Sequence, residues 1–281
     1  MTTLLNYVEP KSFDFEEIVY EKEQREKGMI AWMTIKADEK GFTKLSYELV
    51  AELKVAYEDA DRDQRVGICV LTAQGSKVFN AGGDIDFMDA LDFQTGQVWN
   101  RHLMELSTKM RNLRMPIILA ANGLCIGGGN ELNIFCDLTV AAENAVFGQA
   151  GPMVGACPVW GATQMLPRIV GEKRAREMIM TCQQYPAQKA LEWGLANAVV
   201  PYDQLYDETR RWCDMIMDKS PNSIRIAKVS MNFESDLLYP SMTAGSVYLS
   251  YLWGSPQTKE GFGSFKEKRK NKNWGQFRVN N

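Results

Sequence analysis

Histidine is nearly missing from this chain of 281 residues: His102 is the only one. A metal centre built on imidazoles is therefore not expected, and any chemistry must rest on carboxylates, backbone dipoles, tyrosines or water. Cysteine is present but unpatterned. Cys69, Cys125, Cys136, Cys157, Cys182 and Cys213 show no CxxC spacing and mostly lie in apolar runs, which argues for reduced, packed thiols and against zinc or a disulfide framework. No apolar run reaches the length of about 18 residues needed to cross a bilayer. The opening MTTLLNYVEPKSFDFEE has neither the basic start nor the apolar middle of a signal peptide, so a cytoplasmic protein that does not meet membranes is expected. A strong charge bias is lacking too. The formal net charge is −3, which gives no electrostatic footprint for nucleic acid, and the short basic stretch KEKRKNK (266–272) reads as a solvated helix face.

What is present is an alternation. Apolar, β-rich runs recur at 29–35 (MIAWMTI), 67–73 (GICVLTA), 116–122 (PIILAAN) and 137–143 (DLTVAAE). Between them lie segments with helical periodicity, carried by Leu49, Leu53, Ala56 and Tyr57 and by Leu103, Leu106, Met110 and Leu113. That order predicts an α/β fold with parallel strands joined through helices. After ANAVVP the pattern turns helical: Asp203 is a candidate N-cap, Pro221 opens a second helix, and a last one runs through TKEGFGSFKEKRK. No linker rich in Pro, Gly or Ser and no repeat interrupts the chain, so the C-terminal third is expected to dock on its own core or on a neighbouring subunit.

Two glycine-containing turns stand out, VFNAGGDIDFM (78–88) and CIGGGNELNIFCD (125–137), each following a β-rich run and opening a helix. Glycine in regular structure costs roughly 0.5–1 kcal/mol against alanine, so three in a row call for a reason. The pattern GxGxxG with a later acidic residue is absent, as is the GK[ST] ending of a phosphate loop. Either turn alone is equally well explained by tight packing. Two strand-to-helix turns presenting free N–H groups to one oxygen would make an oxyanion hole.

The segments FNAGGDI, ANGLCIGGGNELNIFCDLTVAAENAVFGQAG and LPRIVGEKRAREM…YPAQKALEWGLANAVVP resemble the enoyl-CoA hydratase/isomerase (crotonase) superfamily over about residues 15 to 270. The resemblance implies a ββα spiral core over 1–200, a C-terminal helical trimerisation region over 201–281, and a coenzyme A thioester substrate with no other cofactor and no metal. It implies a homotrimer or homohexamer. By position it gives Gly83 and Gly128 as oxyanion donors and Glu131 as the catalytic carboxylate. Ala81, Asp84 and Ile85 would shape the coenzyme A pocket, and Phe265 and Lys268 would reach the coenzyme A of an adjacent subunit.

Departures from the family choose among its reactions. Where hydratases carry a second glutamate this chain has Gly151. The text otherwise resembles the branch of dihydroxynaphthoyl-CoA synthase and ketocyclohexanecarboxyl-CoA hydrolase, but Pro158 replaces that branch's aspartate, Ala156 its serine, Ile179 a bicarbonate-pocket tryptophan and Trp253 its C-terminal tyrosine, with Tyr251 a possible substitute. FGQAGP and WGATQMLP resemble the oxocyclohexenecarbonyl-CoA hydrolases. The expectation is hydrolytic cleavage of a ring carbon–carbon bond in an alicyclic β-oxoacyl-CoA, with Glu131 as base and Gln149 orienting water. The alternatives are an enoyl-CoA or cyclic dienoyl-CoA hydratase, a naphthoate-synthase-like cyclase, and a non-catalytic CoA-thioester or RNA-binding relative. Each residue also has a plain structural reading: Glu131 as an exposed carboxylate at a helix N-terminus, Gln149 as a packed turn amide, Tyr251 and Trp253 as helix packing, and His102 as a surface or rim residue at the start of a helix over 101–113.

Overall fold

The computed structural model describes residues 13–278. In chain order the strands are β1 (Ile18–Arg25), β2 (Gly28–Ile35), β3 (Val66–Ala73), β4 (Val78–Asn80), β5 (Ile117–Ala121), β6 (Leu124–Ile126), β7 (Leu138–Ala142), β8 (Val146–Gly148), β9 (Gln184–Pro186) and β10 (Ala198–Val200). The helices are α1 (Tyr47–Arg62), α2 (Ile85–Asp89), α3 (Phe93–Asn112), α4 (Gly128–Phe135), α5 (Ala162–Val170), α6 (Glu172–Thr181), α7 (Ala187–Glu192), α8 (Leu205–Met217), α9 (Pro221–Asp236), α10 (Tyr239–Ser250) and α11 (Pro256–Lys266).

The strands form a six-stranded sheet in the order β1-β2-β3-β5-β7-β10 and a four-stranded sheet in the order β4-β6-β8-β9. From β3 onward the chain lays one long strand in the large sheet and one short strand in the small sheet, turns into a helix and repeats: β3-β4, β5-β6, β7-β8. Every large-sheet pair is parallel except β1 with β2. All four β-rich runs read from the sequence are large-sheet strands.

Alternation along the long strands divides the core in two. Ala31, Met33, Cys69, Leu71, Ile117 and Leu119 belong to a cluster that includes α1 residues Leu49 and Leu53 and α3 residues Leu106 and Met110. Their neighbours Ile30, Trp32, Ile68, Val70, Ile118 and Val140 face Leu205 and Cys213 of α8. Parallel strands buried on both faces read as continuous apolar runs, which explains their visibility. β10 ends at Val200, and α8 beyond it returns to pack on the large sheet.

Helix starts follow local chemistry. The Ser46 side chain accepts from Leu49 N at 3.0 Å to open α1, and Asp92 with Thr95 forms a capping box for α3. That box starts α3 eight residues before the expected 101, placing His102 in mid-helix. Asp203 is not the cap of α8: it lies within a 3₁₀ turn (Tyr202–Gln204), closed by Gln204 N donating to Pro201 O, and α8 begins at Leu205 without a side-chain cap. The last helix stops at Lys266, short of the expected KRK, and Lys268 lies beyond it with φ of 55°.

The basic stretch is ion-paired at its start. Lys266 Nζ stands 2.7 Å from Asp89 and 3.1 Å from Asp86, tying α11 to α2 of the same protomer, and Arg269 pairs with Glu260 at 3.0 Å.

α9 differs from every other long helix. Lys228 is its one buried residue, with Nζ 2.7 Å from Asp137 Oδ2 and donating to the Met110 and Met115 carbonyls at 3.0 and 3.1 Å. Ile226, Val229, Phe233 and Leu237, spaced three or four apart, are all more than half exposed. Among the described residues no helix is long and apolar enough to cross a membrane.

Candidate active site

The two glycine turns are adjacent because of the small sheet. β4 pairs parallel with β6, and β6 with β8, so their C-terminal ends lie side by side. Ala81–Gly83 follows β4, Gly127–Gly128 follows β6, and Gln149–Gly151 follows β8. The sequence places each turn directly after a long strand; the structure inserts a three-residue strand before each, and those short strands bring the turns together. Carboxyl ends of parallel strands are the usual place for a ligand in α/β folds.

In the first turn Gly82 has φ of +94° and in the second Gly127 has φ of +57°, a left-handed region that favours glycine. A Cβ on Gly82 would lie 3.2 Å from Ile126 O and 3.5 Å from Gly128 N, so the turns touch. The first turn is strapped by residues 43–45: Ala81 N donates to Thr43 O (3.1 Å), Leu45 N to Gly82 O (2.8 Å) and Asp84 N to Leu45 O (3.3 Å). The second is fixed by Gly127 N donating to Gly148 O at 3.0 Å. Among the described residues neither Gly83 N–H nor Gly128 N–H has an acceptor. Gly128 opens α4, where the dipole favours negative charge, and Gly83 stands just before the N-cap of α2.

Asp84 caps α2, accepting from Asp86 N (2.9 Å) and Phe87 N (3.4 Å), while Lys44 Nζ lies 2.8 Å from its other oxygen. Burial pushes its carboxyl up, but the Lys44 ammonium and these backbone N–H groups hold it below its ordinary value. Asp84 therefore shapes the turn, and Ile85 packs against the core beside it.

Glu131, one turn into α4, is not the exposed carboxylate of the plain reading. It is 6% exposed, and its Oε1 has no hydrogen-bond partner among the described residues. Burial drives its pKa well above the usual carboxylate range, against the lowering pull of the Ala162 and Trp160 backbone amides. The segment carrying those amides crosses close to α4, where a Cβ on Gly161 would stand 2.5 Å from Phe135 Cζ. Cys157, at the start of this segment, has its thiol pushed up by burial and by the Glu131 carboxylate.

Gln149 is packed, at 1% exposed, in keeping with the plain reading of a turn amide, yet neither its Nε2 nor its Oε1 finds a partner among the described residues. Gly151 leaves no room for the second carboxylate of a hydratase. A Cβ there would stand 2.9 Å from Pro158 Cδ and 3.1 Å from Cys157 Cα, so the replaced positions 151 and 158 fill one another's space.

The remaining candidates lie on other elements. Tyr251 is exposed at the end of α10, its ring 4.7 Å from that of Phe93. Trp253 is buried where a Cβ on Gly96 would stand 1.9 Å from its ring, with Phe262 stacked at 6.3 Å; its Nε1 is unpartnered among the described residues. Phe265 is exposed on α11, a helix that Lys266 ties to α2 of the same chain through Asp86 and Asp89.

His102 is buried, which corrects the surface reading. Its ring stacks on Tyr47 at 4.0 Å, Lys54 Nζ donates to Nδ1 at 2.9 Å, and Nε2 lies 3.1 Å from Tyr47 O. An ammonium on Nδ1 requires a neutral ring with its proton on Nε2. Burial lowers its pKa accordingly. Its partners make it part of the α1–α3 contact.

Sequence reasoning missed Asn80, fully buried, whose Oδ1 accepts the Gly82 N–H at 2.9 Å. An asparagine two residues before a glycine was the available signal.

A family model described as enoyl-CoA hydratase/isomerase matches residues 25–277. An enoyl-CoA hydratase from Bacillus anthracis is 28% identical, with 90% of this chain and 97% of that chain covered at a TM-score of 0.72. Pseudomonas aeruginosa DspI is also 28% identical, covering 93% and 98% at a TM-score of 0.74. An enoyl-CoA hydratase from Mycobacterium avium subsp. paratuberculosis, 23% identical over 90% and 97% at a TM-score of 0.79, shares the fold.

Proposed function

The chain belongs to the enoyl-CoA hydratase/isomerase family, the crotonase superfamily of acyl-CoA-processing enzymes, and from this premise we propose that it opens a ring hydrolytically in an alicyclic β-oxoacyl-CoA. Gly83 N–H and Gly128 N–H bind the thioester oxygen, and Glu131 is the acid–base group. The observation that carries this reading is the filled space at Gly151, where hydratases carry their second glutamate: Glu131 is left as the acid–base carboxylate, because Asp84, the other carboxylate beside the turns, is held by Lys44 and the start of α2. Syn hydration of a double bond by paired glutamates holds water between two carboxyl groups. A ring ketone is more electrophilic and asks for a single base.

In this mechanism ionised Glu131 takes a proton from water as the hydroxide adds to the ring carbonyl. The tetrahedral alkoxide collapses, the bond to the α-carbon breaks, and its electron pair passes to the thioester enolate, whose oxygen the two N–H groups stabilise. Glu131 returns its proton to the α-carbon, and the new carboxylic acid ionises to solvent. The buried Gln149 amide, unpartnered on both atoms, is suited to orient the water. The step is a hydrolysis that needs no external oxidant or reductant, so the reading needs no cofactor beyond the coenzyme A moiety, for which we assign Ala81, Asp84, Ile85, Phe265 and Lys268. A reducing, cytoplasmic setting agrees with the free thiols. The exposed α9 stripe supports a homotrimer or a pair of trimers.

A hydratase is the second reading, favoured by the hydratase from Bacillus anthracis at 28% identity. Incubation with a panel of cyclic β-oxoacyl-CoA, crotonyl-CoA and cyclic dienoyl-CoA esters in ¹⁸O-water, followed by mass spectrometry, separates the two. Ring cleavage puts label into a new carboxylate; hydration puts it into an alcohol, and a closed-ring hydroxyacyl-CoA as the sole product would reject ring opening. Glu131→Gln should retain ester binding and lose about 10²–10⁴-fold in turnover. Because the base must be ionised, wild-type kcat/KM should rise with pH through a pKa above the ordinary carboxylate range.

A further inference from the structure

Asn80 touches both glycine turns. Its Oδ1 accepts the Gly82 N–H at 2.9 Å, closing a small ring that holds Gly82 at φ of +94°. Its main chain abuts the other turn: a Cβ on Gly129 would stand 2.2 Å from the Asn80 carbonyl oxygen and 2.9 Å from its Cβ. Register agrees, since Asn80 at the end of β4 pairs with Cys125 of β6. The residue is fully buried, and its Nδ2 has no hydrogen-bond partner among the described residues. A sealed, unpaired donor is a cost that alanine or leucine at this site would avoid. What the amide supplies in return is an acceptor at the one place where the first turn can be set relative to the second.

We propose that Asn80 is a positioning residue for the oxyanion hole: its side chain fixes Gly82 so that the Gly83 and Gly128 N–H groups face one point. This rests on the reading of those two groups as oxyanion donors. Asn80 does not touch the thioester, and it acts through the peptide it holds. Displacement of a donor by about 1 Å costs on the order of 10²-fold in rate, so removal of the acceptor should lower kcat by roughly 10–100-fold and leave KM within about threefold.

The test uses the full-length protein and 4-(dimethylamino)cinnamoyl-CoA, whose absorption moves to longer wavelength when hydrogen bonds polarise its thioester carbonyl. Wild type should show the red shift. N80A, and N80L with its similar volume and no acceptor, should bind the ester yet lose most of it. N80D, which keeps an oxygen to accept from Gly82 N–H, should recover the shift relative to N80L somewhere between about pH 5 and 8, most fully where the introduced carboxyl is neutral. A full red shift and wild-type kcat in N80L would overturn the proposal. An N80D protein no better than N80L at every pH would do the same, as would unfolding of both N80A and N80L, which would make Asn80 a folding residue instead. No red shift in wild type would reject the oxyanion hole itself.

Discussion

α4 and α9 show two ways in which a sequence specifies a helix. In α4, eight residues long, every position after Gly128 is buried, including Asn130, Glu131 and Asn133; its neighbours are the two glycine turns and the segment at 157–162. α9 is twice as long and buries one side chain, the ammonium-bearing Lys228, while leaving Ile226, Val229, Phe233 and Leu237 in solvent. Within one protomer the polar residue is inside in both helices, and in α9 the apolar ones are outside. α4 is shaped by the interior of its own chain, whereas α9 leaves its apolar stripe in solvent.

The sharpest way to break the comparison is at the start of α4. Gly128→Pro suits the first position of a helix but deletes one N–H, and a Cβ there would meet the tip of the Leu45 side chain at 2.9 Å and Gly82 Cα at 3.6 Å. Turnover should fall about 10²–10³-fold with circular dichroism unchanged. Unchanged turnover would remove α4 from the chemistry.

A smaller effect concerns stability. Because burial raises the folded-state pKa of Glu131, its folded form holds a proton that the unfolded chain releases; stability is full below the ordinary carboxylate pKa and is lost as pH rises toward the raised value. Glu131→Gln should therefore gain in stability relative to wild type as pH rises from about 4 to about 8. Thermal melts across that range check this, and parallel curves would contradict it.

The smallest change in the protomer's own stability is expected on α9. Phe233→Glu should alter it by no more than about 0.5 kcal/mol, as for other exposed sites, while light scattering reports loss of the trimer or hexamer. A wild-type protein that is monodisperse and monomeric at micromolar concentration would leave the stripe without a partner.

The same contrast marks what could be read in advance. The parallel strands β2, β3, β5 and β7 announce themselves through uninterrupted apolar runs such as Ile68–Leu71. β1 was missed because Glu21, Lys22 and Glu23 interrupt an edge strand whose long side chains satisfy themselves elsewhere, as Glu23 does with Trp32 at 2.9 Å. β4, β6 and β8 have three residues each, too few for periodicity, yet they align the turns. The family resemblance marks Gly83, Gly128 and Glu131 as candidates. It does not reveal that Glu131 is sealed or that residues 157–158 fill the place beside Gly151, because both depend on how the segment at 157–162 folds back on its neighbours. His102 was misplaced by the assumed helix start, since Asp92 and Thr95 were not recognised as a capping box.

Lys228 has a bearing on the protein's chemical durability. Thioesters slowly acylate lysine amines, and a protein of this family is expected to meet them at high local concentration. An amine modified in this way loses its charge and two of its three N–H donors. Lys228 holds α9 against the ends of α3 and α4 through two carbonyls and Asp137. Sealed at 3% exposure, it is shielded from its surroundings by the helix it anchors.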